Sequence, residues 1–161
     1  MEIIDRHCFR RLFATFLVCL LAHNPMAQAA DSDDPDSPQA KLMESAREAI
    51  DQQDYPQAIA DLKKVMAEDA QNADALNLMG YSHRKSGQLD QALNYYQKAL
   101  AIDPEHRGAN EYLGELYLQR DQLDKAEQRL AVLDNACFLP CEEFTDLKEA
   151  IADYRKRKGL N

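Results

Sequence analysis

The sequence predicts an all-α fold in which three repeated helical hairpins are followed by one further helix. Apolar residues recur at spacings of three and four from about Gln39 to Lys158, which is the periodicity of amphipathic helices. The same stretch is similar to itself when it is shifted by 34 residues, which is typical of helical repeat arrays. The composition agrees, because the 161 residues include only five glycines and no tryptophan.

The N-terminus does not share this periodicity. Arg6, Arg10 and Arg11 precede an apolar run from Leu12 to Ala22, and the small-x-small pattern AQAA follows at 27–30. These are the three parts of a secretory signal peptide, which we predict over residues 1–29. An uncleaved anchor is the alternative, although the run is shorter than the roughly 20 residues that span a bilayer.

An acidic linker is expected over residues 30–38. It includes the sequence DSDDPDSP, whose aspartates, serines and prolines cannot bury a hydrophobic core. The predicted repeats then occupy residues 39–72, 73–106 and 107–140.

The middle repeat has the clearest pattern. Gly80 and Ala92 are small, which allows the two antiparallel helices of a hairpin to cross closely. Gly87 is suited to the tight turn between them, since glycine ends a helix at low cost. Pro104 ends the second helix because proline lacks the amide hydrogen that a continued helix needs.

The order and spacing of these residues resemble the tetratricopeptide repeat. The matching positions in the middle unit are Leu76, Met79, Gly80, Ala92, Tyr96, Ala99, Asp103 and Pro104. The third unit repeats the pattern at Leu113, Gly114, Tyr117 and Ala126, and the first repeats it more loosely at Leu42, Ala46, Tyr55 and Ala58. The resemblance implies a right-handed α-solenoid. The chain is also similar to small exported tetratricopeptide-repeat proteins of Gram-negative bacteria, including its CFLPCEEFTDLKEAIADY segment, and this implies a periplasmic scaffold without implying an activity.

A capping helix is expected at residues 141–158, followed by a short tail at 159–161. Phe144, Leu147, Ile151 and Tyr154 form one apolar stripe at helical spacing, with charged residues on the opposite side. A repeat array needs such a helix to cover its last unit. Pro140 is expected in the first turn of this helix.

Two cysteines, Cys137 and Cys141, remain after removal of the signal peptide. An even number of cysteines in an exported chain favours a disulfide between them. A redox-active pair, a metal site and free thiols stay open as alternatives. The spacing is not Cys-x-x-Cys, and no histidine lies near Cys137 in the sequence.

The sequence does not favour an enzyme. It contains no phosphate-binding glycine loop, no His-Glu-x-x-His and no Gly-x-Ser-x-Gly motif, and His83 and His106 fall near predicted turns. No cofactor is predicted. The formal net charge of −9 does not favour nucleic acid or anionic lipid as a partner, and no stable membrane insertion is expected after signal cleavage.

The concave face is the predicted binding surface, because the first helix of each repeat lines the inner groove. The side chains expected there are Asn77, Tyr81, Arg84, Lys85, Glu111, Glu115 and Leu118. This mixture suits a protein or peptide ligand, with Tyr81 as an aromatic anchor. The alternatives are that these side chains are simply solvated or pair with each other. Self-association also stays open, either through the stripe of Phe144, Leu147 and Ile151 or through the open face of the first repeat.

These observations predict a non-enzymatic periplasmic scaffold that binds other proteins and acts in the assembly or maturation of an envelope complex. The alternative from another class is a thiol-redox or cofactor-handling protein that uses Cys137 and Cys141 directly.

Overall fold

We describe residues 36–160 in a computed structural model of the chain. The predicted signal peptide, residues 30–35 of the predicted linker, and Asn161 lie outside the described residues. Within the described residues there are seven α-helices and no strand, which confirms the predicted all-α repeat fold. The helices are α1 Pro38–Asp51, α2 Tyr55–Glu68, α3 Ala73–Lys85, α4 Leu89–Ile102, α5 Arg107–Gln119, α6 Leu123–Ala136 and α7 Glu142–Lys158.

The first helix begins earlier than expected. Pro38, which we placed at the end of the linker, is the first residue of α1, and the Ser37 hydroxyl accepts a hydrogen bond from the Ala40 amide at 3.1 Å. Serine at the N-cap followed by proline is a strong helix start, because proline has no amide hydrogen to leave unpaired.

The turns within the three hairpins have the same backbone conformation. Gln53, Gly87 and Asp121, each 34 residues apart, have φ angles of 60°, 78° and 57°. The amide that follows each of them donates to a carbonyl five residues earlier, at distances of 2.7 to 2.9 Å. This left-handed residue satisfies the last carbonyls of the first helix and reverses the chain. Glycine adopts that conformation at low cost, whereas the other two positions carry ordinary side chains.

Each hairpin encloses small side chains where its helices cross. Gly80 on α3 lies against the ring of Tyr96 on α4, so a Cβ atom at Gly80 would be 2.5 Å from Tyr96 Cε1. Tyr96 is completely buried, as is Ala92 one turn before it. The predicted role of Gly80 and Ala92 in close helix packing therefore agrees with the structure.

The last helix covers the third repeat. Leu147 and Ile151 of α7 are buried against α5 and α6, with Leu147 packed against Gly114. The Tyr154 hydroxyl donates to the Asp121 carboxylate at 3.0 Å, which ties α7 to the turn of the third hairpin. The apolar stripe is therefore used within the chain, so Leu147 and Ile151 do not provide the self-association contact that we considered there. Self-association through the open face of the first repeat stays a prediction.

The connection between α6 and α7 is one residue longer than that between α4 and α5. Pro140 lies before α7 instead of in its first turn, which corrects our expectation, and Cys141 takes the N-cap position. The Sγ atoms of Cys137 and Cys141 are placed within bonding distance across this corner, with Cα atoms 5.9 Å apart. The oxidation state in solution stays a prediction.

No described helix is both long enough and apolar enough to cross a membrane.

Candidate functional site

The odd-numbered helices form the inner layer of the array. Within the described helices, α1 contacts α3, α3 contacts α5 and α5 contacts α7, whereas the even-numbered helices do not contact one another. The outer helices are therefore spread apart, and the surface formed by the odd-numbered helices is the inner side of the curve. This is the surface on which we placed the candidate binding residues.

The predicted inner residues do not have equal access to a ligand. Lys85 is exposed, and Tyr81 and Glu115 are half-buried. The other four are less than a tenth exposed, namely Asn77, Arg84, Glu111 and Leu118. The inner position of these residues on α3 and α5 was anticipated, but their burial was not.

Arg84 is held by its neighbours. It is 6% exposed, and its guanidinium lies 2.6 Å from the Glu115 carboxylate. The guanidinium carbon also lies 5.4 Å from the ring centre of Tyr81 and 5.6 Å from that of Tyr112. Arg84 and Glu115 therefore pair with each other, which is one of the alternatives left open by the sequence. Through this pair Arg84 positions the groove wall between α3 and α5.

Tyr112 is an inner-face residue that the sequence analysis missed. Its ring centre lies 4.9 Å from that of Tyr81, so one tyrosine from α3 and one from α5 pack across the groove. Such tilted aromatic pairs are favourable beyond their buried area. Their separation along the chain is not the 34-residue repeat, so comparison of equivalent repeat positions does not reveal the pair.

A cleft lies between α3, α5 and α7. Its volume is about 400 Å³. The lining residues are Arg84, Lys85, Glu115, Leu118, Gln119, Ala150, Asp153 and Arg157. The last three belong to α7 and were also missed. Asp153 lies 34 residues after Gln119. Extending the repeat spacing into the capping helix would therefore have identified Asp153 from the sequence.

Charge is unevenly distributed along this inner surface. Lys85 and Arg157 contribute cations to the cleft, although Asp153 and Glu115 lie there too. Around Glu111, the charges on α5 and α7 that disfavour its ionised form are those of Glu115, Glu143 and Asp146. Burial, reinforced by these carboxylates, raises the pKa of Glu111 to about 8. The two ends of the groove therefore favour different ligand groups.

The described residues contain no group of three His, Cys, Asp or Glu side chains that could hold a metal ion. The cysteine corner is formed by the connection between two helices, and nothing observed there favours the thiol-redox alternative.

Comparison with known proteins assigns the family. The tetratricopeptide-repeat family model matches residues 83–136. A DnaJ protein P58IPK homolog from Oryza sativa subsp. japonica is 38% identical over 72 residues, which is 45% of this chain and 15% of that protein. The Xenopus laevis tetratricopeptide repeat protein 37 is 33% identical over 86 residues, or 53% of this chain and 6% of that protein. Residues 83–136 therefore match the tetratricopeptide repeat.

Solved structures agree with this assignment at the level of the fold. The type III secretion translocator chaperone SycD of Yersinia enterocolitica superposes with a TM-score of 0.66 and 18% identity, over 75% of this chain and 86% of SycD. The first tetratricopeptide domain of Spaghetti (RPAP3), solved with an HSP90 peptide, gives a TM-score of 0.64 and 16% identity, over 71% and 94% of the two chains.

The matched segments are short parts of the curated relatives, at 15% or less of the length of the two named above. The chain therefore shares with them a repeat unit. Its ligand has to be inferred from its own inner surface.

Proposed function

We propose that this chain is a non-enzymatic scaffold that binds a peptide segment of a partner protein along the inner surface of its repeats. The observation that carries the proposal is the cleft between α3, α5 and α7, next to the paired rings of Tyr81 and Tyr112. Tyr81 is half-buried and Lys85 is exposed, so an aromatic anchor and a cation are both open to a ligand.

Two structural neighbours support the proposal by analogy. SycD has been solved in complex with a peptide of the translocator YopD, and the RPAP3 domain has been solved with an HSP90 peptide. Both share the helical-repeat fold of this chain. Extended or helical peptides can fill such a groove by placing side chains into successive pockets.

Selection from a random-peptide library, followed by calorimetry on the selected peptides, tests this function. We expect peptides that bind the wild-type chain to bind the Tyr81→Ala, Lys85→Ala variant about tenfold more weakly, because the aromatic anchor and its neighbouring cation are lost. Arg84 is unsuitable for this variant, since its replacement disturbs the buried contacts described above.

Tyr95→Ala, Lys98→Ala is the matched control. Lys98 Nζ lies 5.3 Å from the Tyr95 ring centre, and Lys85 Nζ lies 5.4 Å from that of Tyr81. The control pair lies on α4, in the outer layer. Both variants are first checked for helical content and melting temperature. If both double variants weaken peptide binding equally, or if the Tyr81→Ala, Lys85→Ala variant does not weaken it, an inner binding surface is contradicted.

We further propose that the scaffold acts in the periplasm, in the assembly or maturation of an envelope complex. The signal-peptide pattern at residues 1–29 and the proximity of Cys137 and Cys141 support export to an oxidising compartment.

The intact mass of the chain purified from a periplasmic fraction tests export and oxidation together. We expect a chain that begins at residue 30 or 31, with a mass lower by the two hydrogens that a disulfide removes. The same chain made in the cytoplasm without residues 1–29 should have two thiols that react with an alkylating reagent. A full-length mass, or two reactive thiols in the periplasmic protein, contradicts the proposal.

The disulfide should also contribute to stability. Replacing Cys137 and Cys141 by serine is expected to lower the free energy of unfolding by about 2 kcal/mol at most, because the closed loop is short. Urea denaturation of both proteins measures this difference.

A further inference from the structure

Glu111 is a buried carboxyl group without a partner among the described residues. It is 7% exposed, and no described side chain donates a hydrogen bond to it or forms an ion pair with it. Glu115, one turn further along α5, has the Arg84 guanidinium at 2.6 Å. Ionising a buried carboxyl group that has no partner is unfavourable, and a cationic ligand can supply the partner that the ionised form of Glu111 lacks.

The groups facing Glu111 come from three helices. Glu115 on α5 and Asp146 and Glu143 on α7 all disfavour its ionised form, whereas Arg84 on α3 favours it. Arg84 is already paired with Glu115. Arg107 lies 3.8 Å from Glu143, in a pair whose arginine is more than half exposed and therefore well hydrated. Carboxylates around Glu111 therefore outnumber the cations that could pair with them.

Asn77 supplies an independent observation on the opposite side of the groove. Its amide side chain lies against α5 at Gly108, where a Cβ atom would be 2.9 Å from Asn77 Nδ2. Asn77 is 6% exposed, and its Oδ1 atom is buried with no hydrogen-bond donor. Gly108 and Glu111 are three residues apart and lie on the same face of α5. The Asn77 side chain of α3, with its unpaired acceptor, therefore packs one helical turn from Glu111 on α5.

We propose that the acceptor site formed by Asn77, Glu111, Glu143 and Asp146 binds the guanidinium group of an arginine in the partner peptide. This inference rests on the peptide-binding function proposed above, and it specifies the chemistry of one ligand side chain.

The arrangement favours guanidinium over other cations. The acceptors are spread over α3, α5 and α7, and the described carboxylates do not converge into a metal site. A lysine ammonium is a strongly hydrated point charge, whereas a guanidinium is planar, less strongly hydrated and carries five donors in a fixed geometry. It can pair with two carboxylates and still donate to an amide oxygen.

The order of contacts follows from accessibility. Asn77 Oδ1 is closed to water in the free chain, so an incoming guanidinium meets the carboxylates first. It reaches Oδ1 only when the side chains above that atom turn aside. Arginine binding should therefore perturb α5 and α7 strongly and α3 to a smaller extent.

Proton linkage provides a readout that a purely structural role does not produce. Since the pKa of Glu111 in the free chain is raised to about 8, its carboxyl is mostly protonated at pH 6. Binding a cation requires the ionised form, so binding releases a proton. Affinity should then rise about tenfold per pH unit as long as the pH is below this pKa.

The probes are tripeptides with blocked termini and a central arginine, lysine or citrulline. Each is titrated into the mature chain, and binding is measured from the changes in the amide chemical shifts of the chain. We expect the arginine peptide to bind about tenfold more tightly than the lysine peptide, and the neutral citrulline peptide to cause no shifts at α5 or α7. The arginine affinity should rise between pH 6 and pH 8. Glu111→Gln should abolish both the preference and the pH dependence.

Glu149→Gln is the control, because it makes the same substitution at an exposed position on α7. It should leave arginine binding and its pH dependence unchanged. Equal affinity for arginine and lysine, shifts scattered over the chain, or equal effects of Glu111→Gln and Glu149→Gln overturn the proposal.

The failure of this inference is distinguishable from failure of the proposed function. Library peptides that lack arginine, and that lose affinity for the Tyr81→Ala, Lys85→Ala variant, establish the inner groove as a peptide site and overturn the arginine site alone. Enrichment of arginine in the selected peptides, lost when the library is selected on Glu111→Gln, supports both.

Discussion

Arg84→Met is expected to lower the free energy of unfolding by about 3 kcal/mol, because it removes one partner of a largely buried ion pair. The Arg84 side chain is 4% exposed and that of Glu115 is 29% exposed. Without the guanidinium, Glu115 lies next to the unpaired Glu111, and the rings of Tyr81 and Tyr112 lose their shared cation. Methionine keeps much of the apolar volume, so the measured change reports mainly on charge.

Urea denaturation followed by circular dichroism measures this change. Arg47→Met is the control, since Arg47 is half-exposed and its carboxylate partner Glu44 is 3.8 Å away on the same helix. A surface pair of this kind contributes little, so its loss should alter stability by less than about 0.5 kcal/mol. An Arg84→Met variant as stable as the wild type shows that desolvation of the guanidinium outweighs its contacts.

The double variant Arg84→Met, Glu115→Gln separates pairing from packing. If the loss comes from the unpaired carboxylate, removing that charge should restore part of the lost stability. If the changes in unfolding free energy caused by Arg84→Met and Glu115→Gln simply add, packing of the arginine against the tyrosines is the larger effect.

Gly80→Ala is expected to destabilise the chain by about 2 kcal/mol, although alanine is normally the better helix former. The added Cβ atom would lie 2.5 Å from Tyr96 Cε1 and 2.6 Å from Cδ1. Tyr96 is completely buried, so its ring cannot move aside without disturbing the contact between the second and third repeats. The steric effect therefore outweighs the gain in helix propensity.

Thermal and urea denaturation of a small variant series test the prediction. Gly108→Ala is the matched control, because its Cβ would lie 2.9 Å from Asn77 Nδ2, at the far end of a side chain, and 3.7 Å from His106 Cε1. We expect a change below about 1 kcal/mol. Adding Gly80→Ala to Tyr96→Leu should be less harmful than adding it to the wild type, since the smaller side chain leaves room for the Cβ. Strict additivity of the two changes is incompatible with this explanation.

Features of the fold that depend on neighbouring residues in the chain were predictable from the sequence, and features that depend on tertiary packing were not. The Gly80 and Ala92 crossing and the Gly87 turn were visible because small residues have few other roles in a helical pattern. The equivalent turns at Gln53 and Asp121 have the same positive φ but no glycine, so residue type does not identify them. Their left-handed conformation is imposed by the packing of the two helices that each turn joins.

The proposed binding surface was predictable in part. Repeat spacing placed Tyr81, Lys85 and Glu111 on the inner helices, because every third or fourth residue of a helix shares a face. It did not distinguish the exposed Lys85 from the neighbouring Arg84, which is buried between two tyrosines. That difference depends on α5, which follows Arg84 in the chain by more than 20 residues and reaches it only in the folded array.

The sequence by itself determined the all-α repeat fold, since helical periodicity and the repeat spacing are local patterns that each hairpin satisfies almost independently. The tertiary structure alone decided which inner charges are paired. Arg84 meets Glu115 because α3 and α5 pack side by side, and Glu111 stays unpaired because α7 presents Glu143 and Asp146 towards it. Electrostatic pairing depends on distances between helices, and those distances are absent from a one-dimensional pattern.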